Sequence, residues 1–230
     1  TSIDPPFERL NLNAKAGISV QANLTTSGAL TANADTDADG SGTFTVASGQ
    51  TVDTTSNALS ITAADVDLQG SLTSGTATTT ITTAKNESIG LGNTAGDLTI
   101  SGTELSHITA ATLVLGSGTT TGITVDGISS SDSQNIGLVS LQALFTGADI
   151  SFLNNDSAFQ SLTATAKNDI VFDAARTLSA VAATGSLTLT AQTGTIDAAT
   201  SLTLLAKNGI TLNSSLTTAG ILTVNSDSDA

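Results

Sequence analysis

Apolar residues alternate with Thr, Ser and Asn over short stretches along most of the chain. Leu202 and Leu204 fall on one face and Thr203 on the other; Leu59-Ser-Ile61-Thr-Ala63 and Leu162-Thr-Ala-Thr-Ala166 alternate in the same way. A period of two over four or five residues is the signature of a half-buried strand, and β-branched Thr, Val and Ile suit it. No window holds apolar residues at helical spacing long enough to compete. Gly, Asn and Asp punctuate the runs at close spacing, as in Ile89-Gly-Leu91, Leu98-Thr-Ile100, Leu113-Val-Leu115 and Ile123-Thr-Val125. The pattern predicts an all-β chain of many short strands.

The alternation is repeated on two scales. Leu202–Ala230 aligns without a gap on Leu10–Ala38, and 16 of the 29 paired positions are identical. This predicts one long super-repeat, residues 10–201, behind an opening segment 1–9, with residues 202–230 starting the next copy. Within it the template Leu-x-Leu-x-Ala, short turn, Ile-x-Leu, Leu-Thr-Thr returns at Leu59–Ser74 and again from Leu162. A unit of about 20 residues holding two or three short strands cannot bury its own apolar face and must stack on its neighbours. About 11 or 12 such units are expected, giving a rod about 55 Å long at ~4.8 Å per unit. Pro5-Pro6 blocks regular pairing in the opening segment and Phe7 is read as a local plug. Residues 33–42 insert a polar acidic loop. Residues 136–159, crowded with Leu138, Leu141, Leu144, Phe145, Ile150, Phe152 and Phe159, are expected to be the least regular part.

All four Lys follow an Ala at the same point of a unit: Lys15, Lys85, Lys167 and Lys207, three of them followed by Asn86, Asn168 and Asn208. They read as solvated corner residues beside an Asn or Gly that accepts a left-handed backbone. The net charge of −14 comes from 20 acidic and 6 basic residues. No basic patch is available to release counterions from phosphates, so nucleic acid is excluded as a partner class and anionic lipid surfaces are disfavoured. No apolar run approaches the roughly 18 residues that a spanning helix needs, and membrane insertion is not expected. With no Cys there is no disulfide framework.

The pattern LTLLAKNGITLNSSLTTAGILTVNS, clear over Leu10–Ala38, Leu59–Ser74 and Leu162–Ala230, resembles the repeats of filamentous haemagglutinin-type adhesins, the large exoproteins of two-partner secretion. The resemblance implies a right-handed parallel β-helix, export to the cell surface, and a rod-like adhesive or scaffold role. Further copies of the repeat, in the same chain or end to end, and a cell-surface or glycan receptor are the partners it suggests.

The sharpest chemical candidate is Asp35-Thr-Asp37-Ala-Asp39-Gly40, three carboxylates at alternate positions. Ca²⁺ takes six to eight oxygens, and D-x-D-x-D-G delivers the first of them in several calcium loops. Val46 stands where an EF-hand supplies its bidentate Glu. The same run begins again at Asp227 and Asp229. The alternative is a solvated acidic loop that interrupts pairing between modules. Asp65 and Asp67 are expected to face outward. His107, the only His, lies near Glu104, but no Ser, Cys or metal set converges on the pair, so no enzyme is expected. Without Trp or Tyr the usual platforms for sugar rings are missing. Thr76–Thr82 is similar to the Thr arrays of ice-binding β-solenoids, yet outward positions are expected to mix Thr, Ser, Asn, Asp and Lys. Asn23, Asn86, Asn155 and Asn213 fit the N-glycosylation pattern, which has meaning only in a eukaryotic secretory protein. The reading is a structural module of an extracellular fibre or adhesin stalk; the alternatives are a calcium- or glycan-binding surface module and an ice-binding one.

Overall fold

In the computed structural model, which describes residues 8–228, the alternating stretches form twenty-six short strands and one helix. Leu59–Ala63, Leu162–Ala166, Leu187–Ala191 and Leu202–Ala206 each alternate between buried and partly exposed residues from first to last. Every strand pairing among the described residues is parallel. The protein is therefore all-β, built of parallel sheets. The opening Pro5, Pro6 and Phe7, and Asp229 at the other end, lie outside the described residues.

One long sheet receives a strand from each circuit of the chain. Its path runs through Leu10, Leu30, Leu59, Thr79, Leu113, Val139, Leu162, Leu187 and Ile210, each beside the next. Nine strands lie on this path, fewer than the 11 or 12 units expected. The circuits are longer than about 20 residues because corners carry inserts: twenty residues separate Leu10 from Leu30, but thirty-four separate Thr79 from Leu113. Side chains one pleat apart stack in columns, and the inward columns are dry. Ile61, Ile81, Leu115, Leu141, Ala164 and Leu189 form one fully buried file. Burying each Leu or Ile contributes about 1.5–3 kcal/mol. Thr79 is the polar member of the neighbouring file, and its hydroxyl is satisfied by Ser74 Oγ at 2.8 Å.

Between returns to the long sheet, each circuit adds strands to other sheets. Ile18–Val20, Thr43–Val46 and Asp65–Leu68 form a three-stranded sheet. A seven-stranded sheet takes over in later circuits and stacks Ile89, Ile123, Ile150, Ile170, Ile196 and Leu216. Phe152 and Phe172 lie in this sheet with ring centroids 4.9 Å apart. Ser157–Phe159, Arg176–Ala180, Leu202–Ala206 and Leu222–Asn225 form a four-stranded sheet.

Residues 136–159 contribute ordinary strands to three sheets: Ile136–Ala143, Asp149–Phe152 and Ser157–Phe159. The larger irregularity lies between Gly92 and Ile108. Strand Leu98–Ile100 lies parallel beside Glu87–Gly92, with Ile89 opposite Leu98. The connecting loop crosses the face of the strand at Gly90, where a Cβ would collide with Ala95 and Gly96. Helix Gly102–Ser106 follows, closed by a capping box of Ser101 and Glu104. The sequence Ser101-x-x-Glu104 carries that signal, but a five-residue helix lies below the length that periodicity detects.

The two copies of the long repeat occupy different sheets. Leu10–Asn13 starts the long sheet, whereas its counterpart Leu202–Ala206 belongs to the four-stranded one. Ile18–Val20 is in the three-stranded sheet and its counterpart Ile210–Leu212 in the long one. Local structure is nonetheless the same. Gly17 and Gly209 hold φ of 105° and 103°, a left-handed corner that glycine accepts without strain. Asn33 and Asn225 each accept the backbone N–H two residues on, at 3.1 Å. Glycine, not Asn, thus makes these bends: among the corner Asn, none of Asn86, Asn168 and Asn208 has positive φ.

The outward positions of the long sheet also differ from expectation. One column reads Asn11, Thr31, Ser60, Thr80, Val114, Ser140, Thr163, Thr188, Thr211. Two residues along each strand, a second contains Asn13, Asn33, Thr62 and Thr82, and further on Gly116, Gln142, Thr165 and Thr190. Neither column holds a charge; Asp and Lys sit at corners and on other sheets.

Leu204 is fully buried between Leu178 and Val224, whereas Thr203 points outward. Leu204→Asp is expected to cost about 3 kcal/mol or more, because it places an unpaired carboxylate in an apolar file. Thr203→Asp should cost less than about 1 kcal/mol. Urea denaturation of the two variants checks this, and equal losses would reverse the assignment of faces.

Candidate functional site

The acidic loop leaves the long sheet after Leu30–Asn33 and re-enters pairing at Thr43–Val46. Its three carboxylates have different roles. Asp35 is 1% exposed and turns back into its own loop: one oxygen accepts the Asp39 N–H at 3.2 Å, the other the Gly40 N–H at 2.9 Å. Asp39 Oδ1 accepts both the N–H and the hydroxyl of Ser41, at 2.9 and 2.6 Å. Asp37 is exposed and stands 3.6 Å from Lys15 Nζ. One oxygen from each of Asp35, Asp37 and Asp39 can be chosen so that all lie within 4.8 Å of one another. Val46 belongs to the core and offers no ligand. In the second copy Asp227 begins the same turn as Asp35, with its N–H on Asn225.

A later circuit reaches into this corner. Lys85 Nζ donates to the Asp39 carbonyl at 2.8 Å and lies 3.5 Å from Glu87 Oε1. The Glu87 side chain is 9% exposed, and its Oε2 has no hydrogen-bond partner. Burial pushes the Glu87 carboxyl above its ordinary value; Lys85 opposes the shift, and the charges of Asp97 and Asp35 add to it. Lys85 is thus no freely solvated corner residue: it is the cation that ties the acidic loop to the strand Glu87–Gly92. Asp97 is held below the usual carboxylate range by the N–H and hydroxyl of Ser88, at 2.9 and 2.7 Å.

Glu104 and His107 come together, but on a strand edge. Glu104 Oε1 accepts the Leu68 N–H at 3.1 Å, and its other oxygen accepts the Ser101 N–H and hydroxyl at 2.9 and 2.8 Å. His107 Nδ1 lies 2.8 Å from the Leu68 carbonyl. The pair satisfies backbone groups where the three-stranded sheet ends. Asp65 does the same through the Thr99 N–H at 2.8 Å; burial raises its carboxyl despite that bond. Of the remaining lysines, Lys167 donates to Gln192 at 3.2 Å.

A second polar corner escapes sequence reading. Asp126 is buried and accepts the side-chain amides of Asn154 and Asn155 at 2.9 and 2.8 Å. Burial alone would raise its carboxyl, but the two amides, the Asn155 N–H and the charge of Arg176 together outweigh it, and the group stays below its ordinary value. Asp173 and Arg176 pair nearby at 2.7 Å. The run Asn154-Asn155-Asp156 was the available signal. Phe152 and Phe159 are buried, so residues 136–159 present neither ring to a glycan. No cleft opens among the described residues. Compared with known proteins, the chain matches no family model, no curated protein and no solved structure.

The raised Glu87 carboxyl sets a pH dependence. Below its unfolded value, near 4.5, both states hold the proton and the group costs nothing. As pH rises through the higher native value, the fold must give up a proton it holds more tightly, so stability falls across that window and then levels. Glu87→Gln is expected to remove this decline and to add about 1 kcal/mol above it. Thermal melts of both proteins between pH 4 and 8 check this; parallel curves would contradict it.

Proposed function

We propose that the chain is a right-handed parallel β-helix serving as a non-catalytic structural module of an extracellular fibre or adhesin stalk. The observation that carries this reading is the interchange of the two repeat copies between sheets. A sequence unit that forms the same strand and corner on any face is suited to extension by addition, one circuit on the next. Glu104 and His107 are occupied by Leu68 backbone groups, which favours structure over chemistry. The surface location rests on the resemblance to haemagglutinin-type repeats. In this role the module sets distance, and partners attach to further copies or at the ends. Appending residues 39–230 after Ala230 is expected to lengthen the particle at constant width, by ~4.8 Å per added circuit. Small-angle scattering measures both dimensions, and a second compact body on a flexible joint would overturn the reading.

Calcium at Asp35, Asp37 and Asp39 is the ligand assigned to the acidic corner, favoured by the convergence of their oxygens. Asp37 and the free lone pairs of Asp35 and Asp39 would form the first side of the shell; the ion would compete with Lys15 for Asp37 and be repelled by the Lys85 ammonium on the Asp39 carbonyl. Calorimetric titration is expected to give one site per chain, weakened by Asp37→Asn and strengthened by Lys85→Gln. Asp37→Asn leaves the Asp35 cap intact, so weaker binding there would not reflect unfolding. A flat titration at millimolar Ca²⁺, with melting unaffected by chelator, would leave the corner as a lysine-neutralised loop.

A further inference from the structure

The outward columns of the long sheet form two ranks in register. Ser60 and Thr62, Thr80 and Thr82, Thr163 and Thr165, and Thr188 and Thr190 are pairs on one strand each; the first two pairs lie directly beside each other in the sheet, and so do the last two. The grid repeats every ~4.8 Å across the strands and every ~6.6 Å along them. The adjoining Thr31 and Asn33 extend it at one end and Thr211 at the other. Two adjacent strands interrupt it between Thr80 and Thr163: one carries Val114 and Gly116, the next a buried Ser140 and Gln142, whose side-chain amide donates to Ser140 Oγ at 3.4 Å.

Three further properties set this face apart. It holds no charged residue in a chain of net charge −14. Among the described residues, the hydroxyls of Thr80, Thr163, Thr165 and Thr188 have no protein partner, while Thr62 and Thr82 share one bond at 3.2 Å and Thr190 accepts the Asn213 amide at 3.0 Å. The residues between the ranks, Ile61, Ile81, Ala164 and Leu189, are fully buried and pin the backbone beneath them. Strand propensity favours Thr at any outward position, yet the seven-stranded sheet, under the same preference, presents mixed columns: Gly90, Thr124, Ser151, Val171, Asp197 and Thr217 in one, and Ser88, Gly122 and Asp149 in a shorter one.

We propose that the two-rank face of the long sheet binds the surface of ice. Its ~4.8 Å spacing across the strands lies near one repeat of water oxygens on the prism faces of hexagonal ice, and its ~6.6 Å spacing along them is somewhat shorter than the other. Free hydroxyls can continue the hydrogen-bond lattice, and the Thr methyls keep the intervening waters ordered. Absence of charge is required, because an ion holds a hydration shell incompatible with that lattice. A rigid, pre-aligned grid binds without paying for the ordering of flexible groups. The inference rests on this sheet alone and stands whether or not the chain serves in a fibre.

The test uses the purified chain in a nanolitre osmometer. Single ice crystals should be shaped, and their growth halted over a gap below the melting point. Thr80→Tyr, Thr163→Tyr and Thr188→Tyr together raise bulky rings out of the plane and should return both readouts to those of buffer, with circular dichroism unchanged. Thr124→Tyr, Ser151→Tyr and Thr217→Tyr on the seven-stranded sheet should leave them intact. Thr188→Lys, one outward charge in the rank, is a milder second variant and should narrow the gap. An unmodified chain that neither shapes ice nor delays its growth overturns the proposal. So does equal loss of activity from the two triple variants.

Discussion

Everything in this protein depends on the open edge of a parallel strand. Each circuit pairs its backbone with the circuit before it and leaves a row of N–H and C=O groups, with the tops of its apolar columns, for the circuit after it. Neither need can be met within a circuit, because two or three short strands enclose no core of their own. Stability is therefore a property of stacking, and the columns are its unit. Where the described circuits stop, the cost is visible: Ile221, Leu222 and Val224 are 74%, 41% and 48% exposed.

In-register stacking also restricts what can stand outside. A residue has its counterpart only ~4.8 Å away on the next strand, and two like charges at about 4 Å repel by ~1 kcal/mol even in water and by several times that against a protein surface. Charge is therefore kept off the outward columns of the long sheet and placed at corners, or on other sheets beside uncharged counterparts, as Asp67 is beside Thr45 and Asp197 between Val171 and Thr217. The acidic loop shows how a corner handles three carboxylates. Asp35 is used on loop N–H groups, Asp37 faces Lys15, and the Asp39 carbonyl receives Lys85 from a later circuit. The cost falls on Glu87, whose carboxylate is drawn into the same corner and left half-satisfied.

This division explains what could be read from the sequence. Strands follow from period-two alternation, and Leu59–Ala63, Leu162–Ala166 and Leu202–Ala206 lie where that pattern puts them. The convergence of Asp35, Asp37 and Asp39 followed from their spacing within one loop. What alternation does not encode is the length of a corner, since an insert leaves the phase of the next strand unchanged. Alternation accordingly yields too many circuits and gives no sign of the excursion between Gly92 and Ile108. Contacts between circuits were invisible for the same reason: Lys85 meets Asp39 across forty-six residues, and Glu104 meets Leu68 across thirty-six. The charge-free ranks of the long sheet emerge only when strands from nine circuits are laid side by side.

The register also fixes how the long repeat advances. Starting from Leu10–Asn13, the chain returns to the long sheet for the seventh time at Leu187–Ala191, and two strands later it reaches Leu202–Ala206, where the sequence begins again. The repeat is thus seven circuits and two strands, not a whole number of circuits. Its second copy starts one strand short of the face on which the first copy started. The Asn225 turn that opens the second acidic run consequently leaves the four-stranded sheet, whereas the Asn33 turn leaves the long one. Iteration of such a unit carries the acidic corner around the stack by one face per copy and returns it to its first direction only on the fourth. A strand code that works equally on every face makes this rotation tolerable. In a chain of such copies the acidic corners would point to different sides instead of aligning, which would keep like charges apart.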